Sequence, residues 1–172
     1  MYEFMCKLKT GMNYVLARLC AVLLSAMTLL VLYQVFTRYF LNDPASFTEE
    51  LVRYLLIWTG FIGAAYAFST REHMALLFVR DKFDPPMRKA LTVGMDVVIL
   101  IVAVVIMIYG GVLLAVSAQK EFSALLGIPR SLVYAMGPIA GVLIVVAQVI
   151  NIYEDITGLA VGEKAADIPQ GD

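Results

Sequence analysis

The sequence predicts an all-α integral membrane protein that crosses the bilayer four times, and three observations carry that prediction. The chain has 172 residues, of which 61% are hydrophobic and only 16% charged, with a mean hydropathy of +0.83. A soluble domain carries about 25% charged residues, so too few charges remain here to cover a water-facing surface. The charges are also gathered at intervals, leaving uncharged runs of 19 residues between Arg18 and Arg38, 17 between Arg53 and Arg71, 23 between Asp96 and Lys120, and 23 between Arg130 and Glu154. Crossing about 30 Å of hydrocarbon takes roughly 20 largely apolar helical residues, so each run is one span, the second completed by its ends. Within the runs, Val31-Leu32-Tyr33 and residues 97–108 are apolar without alternation. That excludes an outer-membrane barrel, whose strands alternate over segments of about 10 residues.

The spans are expected at 15–38, 47–70, 87–118 and 131–153, within a single four-helix transmembrane domain over 1–157. The first is read as a retained anchor, because its apolar run exceeds the roughly 7–15 residues of a signal peptide and no A-x-A cleavage site stands after it. The second comes after an Asn42-Asp43-Pro44 turn and opens on Ser46-Phe47-Thr48-Glu49, a capping box in which Ser46 caps and Glu49 reaches back. The third opens on Asp84-Pro85-Pro86, an acid at the cap and proline in the first turn where its missing N–H costs nothing. A helix from Pro85 to Ala118 would be about 50 Å long at roughly 1.5 Å per residue, so it must tilt or protrude. Between the second and third spans, residues 73–83 mix apolar bulk with Arg80 and Lys82, which suits a helix lying in the interface. The tail at 158–172 is poor in apolar residues and is expected to be disordered.

Lysine and arginine set the orientation. Lys7, Lys9, Arg18, Arg71, Arg80, Lys82, Arg88, Lys89 and Lys164 fall on one side, and Arg38, Arg53, Lys120 and Arg130 on the other. Both termini are therefore expected in the cytoplasm.

The inventory of reactive groups is thin. No charged residue lies in the middle of a span. Asp96 is the deepest carboxylate, readable either as an ion site or as an interface-level acid paired with a basic neighbour. Glu49, Glu50 and Arg53 form the sharpest cluster, since i,i+3 and i,i+4 positions are neighbours on a helix. That cluster is either an N-terminal cap with a surface ion pair or the docking point of a partner. His73 is the only histidine, which excludes a bis-histidine haem within the chain and a zinc cluster. Cys6 and Cys20 have no CxxC spacing and read as apolar filler. No cofactor, metal or nucleic-acid partner is implied. Trp58 lies inside the second span as a packing residue whose N–H needs an acceptor. Small residues mark close helix approach: Gly60, Gly63, Ala64 and Ala67 on the second span, Gly111 and Ala115 on the third, and the GxxxG of Gly137 and Gly141 on the fourth.

Taken together, Arg38-Tyr39-Phe40-Leu41-Asn42, Thr48-Glu49-Glu50-Leu51-Val52-Arg53-Tyr54 with Trp58, Phe61-Ile62-Gly63-Ala64-Ala65, Arg71-Glu72-His73 and Leu126-Gly127-Ile128-Pro129 with Tyr134 and Pro138 resemble one family. It is the small, four-helix, Q-type membrane subunit of TRAP (tripartite ATP-independent periplasmic) transporters, and the resemblance covers residues 15 to 155. One departure is Phe47, where the family often has tryptophan. The resemblance implies a bacterial inner-membrane protein and a sodium-coupled symporter for a carboxylate solute. It further implies a large elevator-type membrane subunit as partner, whose scaffold this chain enlarges, and a periplasmic solute-binding protein that delivers the solute. Membrane lipids are the remaining partners. The candidate interface residues are then Glu49, Glu50, Arg53, Trp58, Gly60, Gly63, Ala64, Ala67, Gly137 and Gly141. The chain's own residues fit a passive role, because neither a discontinuous helix nor a charged midplane, the marks of a substrate site, is read from them. The alternative is an autonomous small four-helix transporter, but the first span holds no membrane-embedded glutamate. A redox enzyme would need cysteine pairs or several histidines.

Overall fold

A computed structural model describes residues 2–41, 46–70 and 85–157. The elements are α1 (Tyr2–Phe40), α2 (Ser46–Thr70), α3 (Pro85–Val102), a π-helical stretch (Ala103–Gly110), α4 (Gly111–Ser117), a 3-10 turn (Ala118–Lys120), α5 (Arg130–Tyr134) and α6 (Met136–Thr157). Four of the resulting helical runs are long and apolar enough to cross a membrane: Lys7–Phe40, Ser46–Thr70, Leu91–Lys120 and Arg130–Asp155. Four such helices were expected, and four are present among the described residues. The expected interfacial helix at 73–83, His73 and the tail lie outside the described residues, as does the Cys6 side chain.

The helices differ from the expected spans in two respects. The first helix starts at Tyr2, ahead of the span expected at 15–38. At about 1.5 Å per residue its 39 residues reach about 58 Å, nearly twice the hydrocarbon thickness. Its first turns therefore extend beyond the apolar run, helical because Lys9 and Asn13 have partners on the other helices. The third and fourth spans are also not uninterrupted α-helix. The third widens to π over Ala103–Gly110, and the fourth breaks at Ala135, between α5 and α6. Pro138 explains the break. It has no N–H to give the Tyr134 carbonyl, and the next bond, from the Ile139 N–H to Ala135 O, is stretched to 3.4 Å.

These two irregularities meet. A Cβ on Gly111 would lie 2.7 Å from Pro138 Cδ and 3.1 Å from Pro138 N, and one on Gly141 would lie 2.9 Å from both Met107 Cβ and Ile108 Cγ1. Glycine at these positions is what lets the third and fourth spans touch backbone to backbone, in a solvent that gives helices no hydrophobic reason to associate.

The fourth span is the centre of the bundle. Half of its apolar window is buried, against 6% for the first and third spans. It packs on α2 on one side and on the third span on the other, while α1 packs mainly along α2. The core combines Leu16, Ile62, Ala65, Ala103 and Ile144, one or more from every span. Large apolar side chains such as Leu29, Leu32, Leu56, Val98, Ile106 and Val149 remain exposed, as expected where lipid or another membrane subunit covers them.

Candidate functional site

Polar side chains collect at the two ends of the bundle. At the end that holds the start of α1 and the end of α6 they form a network. Lys9 Nζ donates to Asn151 Oδ1 at 2.8 Å and to both Glu154 oxygens at 3.0 and 2.9 Å. Asn151 Nδ2 in turn donates to the Phe68 carbonyl at 3.2 Å and to Gln148 Oε1 at 3.4 Å. The Ser69 hydroxyl donates to Asn13 Oδ1. Lys9, Ser69, Gln148, Asn151 and Glu154 are all buried. The network ties α1, α2 and α6 together, and it brings the start of the first helix against the end of the last, so the two lie on one side. The Lys9 ammonium fills the position between these acceptors, so the cluster is an internal ion pair. Asp96 is also buried.

The opposite end is built on Glu50. Its carboxylate accepts from the Tyr54 hydroxyl at 2.8 Å and from the Leu125 backbone N–H at 3.3 Å. The second contact fastens residues 121–130, a tight loop closed by a bridge between Phe122 and Pro129, by Ser123 N–H to Ile128 O at 2.9 Å and by Arg130 N–H to Glu121 O at 2.9 Å. Gly127 turns the loop at φ 63°, a region glycine enters freely. Thr48-Glu49-Glu50 and Leu126-Gly127-Ile128-Pro129, far apart in sequence, are thus two halves of one construction.

Glu49 and Arg53 are exposed, and among the described residues no ion pair joins Arg53 to Glu49 or Glu50. The i,i+4 pairing available on the helix is not formed: Glu50 has turned to the loop, and Glu49 and Arg53 are exposed. Arg53 instead lines a cavity of about 200 Å³ with Glu50, Tyr54, Ile57, Arg130, Val133 and Tyr134. Arg130 touches Glu121 at 3.3 Å, both well exposed.

The small residues divide. Gly137 is buried with the Phe61 ring 3.7 Å from where its Cβ would be, and Gly141 is closed against Met107 and Ile108, so both are occupied inside the chain. A Cβ on Gly60 or Gly63 would meet nothing within 4 Å. These two continue the face of Arg53 and the exposed Leu56, with Ala64 and Ala67 half-buried beside them. Trp58 points the other way, toward the bundle, and its buried Nε1–H has no acceptor among the described residues.

Four apolar spans, an ion pair sealed at one end and a loop latched at the other define a multi-pass helical membrane protein with no charged group at mid-membrane. Residues 27–158 match the family model of the tripartite ATP-independent periplasmic transporters, DctQ component. The chain belongs to this family: it is a small permease subunit of a TRAP transporter, and not an enzyme. It is 32% identical over 132 residues to a protein of Haemophilus influenzae described as a TRAP transporter small permease protein, covering 77% of this chain and 81% of that one. It is 29% identical over 131 residues to the small permease protein of a sialic acid TRAP transporter of Vibrio cholerae, covering 76% and 75%. A further relative, a sialic acid TRAP transporter permease protein of Haemophilus influenzae, is 24% identical over 126 residues, which are 71% of this chain but 20% of that protein. Lys9 and Asn13 lie ahead of the region the family model matches.

Proposed function

We propose that the chain is the stationary, scaffold-enlarging subunit of a sodium-coupled TRAP transporter for a carboxylate solute, packed against a large permease subunit, in a bacterial inner membrane with both termini in the cytoplasm. The observation that carries this reading is the distribution of polar groups. Every charged side chain among the described residues sits toward one end of the bundle, where it is tied into packing or faces outward, and the uncharged middle offers nothing to coordinate a solute or an ion. The sialic acid relative supports a carboxylate solute, and the relative about five times as long as the matched stretch supports a large permease partner. The docking surface in this reading is the outward face of α2: Arg53, Leu56, Gly60 and Gly63, with Ala64 and Ala67.

The open space at Gly63 makes a discriminating variant. Gly63→Leu should leave the isolated chain as heat-stable and monodisperse as the wild type, since its Cβ meets nothing, yet it should reduce co-purification of the large subunit several-fold. A variant that keeps its partner in full yield would remove α2 as the docking helix. Orientation is tested by single cysteines at the exposed positions Lys7 and Lys120 in a background with Cys6 and Cys20 replaced. A membrane-impermeant thiol reagent applied to intact spheroplasts should label position 120 and spare position 7; the reverse pattern would invert the topology.

A further inference from the structure

We infer that the outward face of α1 carries a site for the phosphate of a membrane phospholipid, formed by the Arg18 guanidinium seated on the Tyr14 ring. The inference goes beyond the scaffold reading and needs only that the chain crosses a membrane. At roughly 3.6 residues per turn, Lys7, Gly11, Tyr14 and Arg18 fall on one stripe of α1, and all four are exposed. Lys9 and Leu16 fall on the opposite stripe and are buried, Lys9 against Glu154. Arg18 therefore points away from the bundle. Its guanidinium lies 4.0 Å from the centroid of the Tyr14 ring. Helical side chains lean toward the helix start, so this contact carries the charge about one turn toward the end of the bundle that holds Lys9. A long basic side chain at a membrane edge snorkels in this way, and tyrosine is favoured at the same level. The ring covers one face of the guanidinium. The N–H groups around its edge stay available, because among the described residues no carboxylate pairs with Arg18.

Charge, depth and the rest of the stripe select the ligand. From Phe4 to Phe40 the helix carries no acid, so the exposed Lys7 and Arg18 give the stripe an unopposed positive charge that calls for an anion. Paired guanidinium N–H groups match two oxygens of a phosphate. The 19 uncharged residues between Arg18 and Arg38 extend about 28 Å at roughly 1.5 Å per residue. That is close to the hydrocarbon thickness of about 30 Å, so Arg18 stands at the level where head groups begin. Beyond it the same stripe runs on through Val22, Leu29 and Leu32, all exposed. A basic head followed by a bare apolar track matches a phospholipid, with the phosphate at the arginine and an acyl chain along the helix. A soluble anion matches the head alone.

The test is lipid binding followed by native mass spectrometry on the full chain in detergent, alone and with its large subunit. Phosphatidylglycerol is the probe; diacylglycerol, which lacks the phosphate, and inorganic phosphate are the comparisons. Phosphatidylglycerol should bind both preparations, and neither comparison should displace it. Arg18→Gln should weaken its binding about three- to tenfold, the range of a charge-assisted hydrogen bond at an exposed site. Tyr14→Leu removes the seat and keeps the charge, so it should weaken binding about two- to threefold. Arg18→Lys should fall between the wild type and Arg18→Gln. It also keeps the charge that orients the helix, which separates phosphate capture from any change in insertion. Unchanged binding in Arg18→Gln overturns the inference. So does an equal loss from Lys120→Gln at the opposite end, which reduces the effect to general charge attraction. Binding by the chain alone but not by the complex assigns the stripe to the large subunit instead. Equal binding of diacylglycerol removes the phosphate from the account, and full displacement by inorganic phosphate assigns the arginine to a soluble anion.

Discussion

Glu154→Ala should be among the most destabilising single substitutions in the chain. It strands the Lys9 ammonium among α1, α2 and α6 with only Asn151 Oδ1 to accept from it. Removing one partner of a buried ion pair costs about 3–5 kcal/mol, because the remaining charge stays desolvated and unpaired. Replacing both partners with apolar residues of similar size is often neutral, so Lys9→Met with Glu154→Leu should recover most of the loss. Heat-induced loss of monodispersity in detergent measures both. The pair at the opposite end provides the contrast: Arg130 and Glu121 are 47% and 59% exposed, and exposed pairs contribute at most about 1 kcal/mol, so Glu121→Ala should shift the midpoint little. Equal effects from Glu154→Ala and Glu121→Ala would mean that the Lys9–Glu154 pair is not buried as described.

Gly141→Leu should be comparably damaging for a different reason. A leucine there must displace Met107 and Ile108, whose atoms already lie 2.9 Å from the position of a bare Cβ. Overpacking a filled contact costs about 1–3 kcal/mol and sometimes more. Gly111→Ala should cost a similar amount despite adding one carbon, since it meets the rigid Pro138 ring at 2.7 Å, and a ring cannot rotate aside as a side-chain end can. Both should lower the thermal midpoint of the isolated chain, where Gly63→Leu leaves it unchanged. If Gly141→Leu behaves like Gly63→Leu, the third and fourth spans are not in backbone contact.

The four spans were legible because they rest on local quantities: run length, hydropathy and helix-start chemistry. Even so, α1 begins at Tyr2, well ahead of the apolar run, because what holds Lys9 and Asn13 in place is on other helices. Lys9 counts as an ordinary topogenic lysine until Glu154 is placed beside it. A trace of the network is nevertheless present in sequence, since Lys9 and Asn13 stand at i,i+4 and Gln148, Asn151 and Glu154 at i,i+3 spacing, polar stripes on single helix faces. The same limit applies at the opposite end. Proximity on the helix suggested Glu49, Glu50 and Arg53 as a local cluster, but Glu50 is claimed by a loop 75 positions away. The GxxxG of Gly137 and Gly141 could not say what each glycine meets: Phe61 stands beside the first, and Met107 and Ile108 beside the second. The π-helical stretch had no marker within its own apolar residues; Pro138 opposite Gly111 was the nearest available sign.

A subunit that supports transport without carrying a pathway of its own should be inert when reconstituted by itself, so uptake by purified components is the decisive experiment. Liposomes would hold this chain alone, the large subunit alone, or both, with an inward sodium gradient and solute-loaded binding protein outside. No uptake above empty vesicles is expected for this chain alone, and sodium-dependent uptake is expected when both subunits are present. Solute accumulation by this chain alone would refute the supporting role, because the flux would have to pass through a bundle whose mid-membrane residues carry no charge.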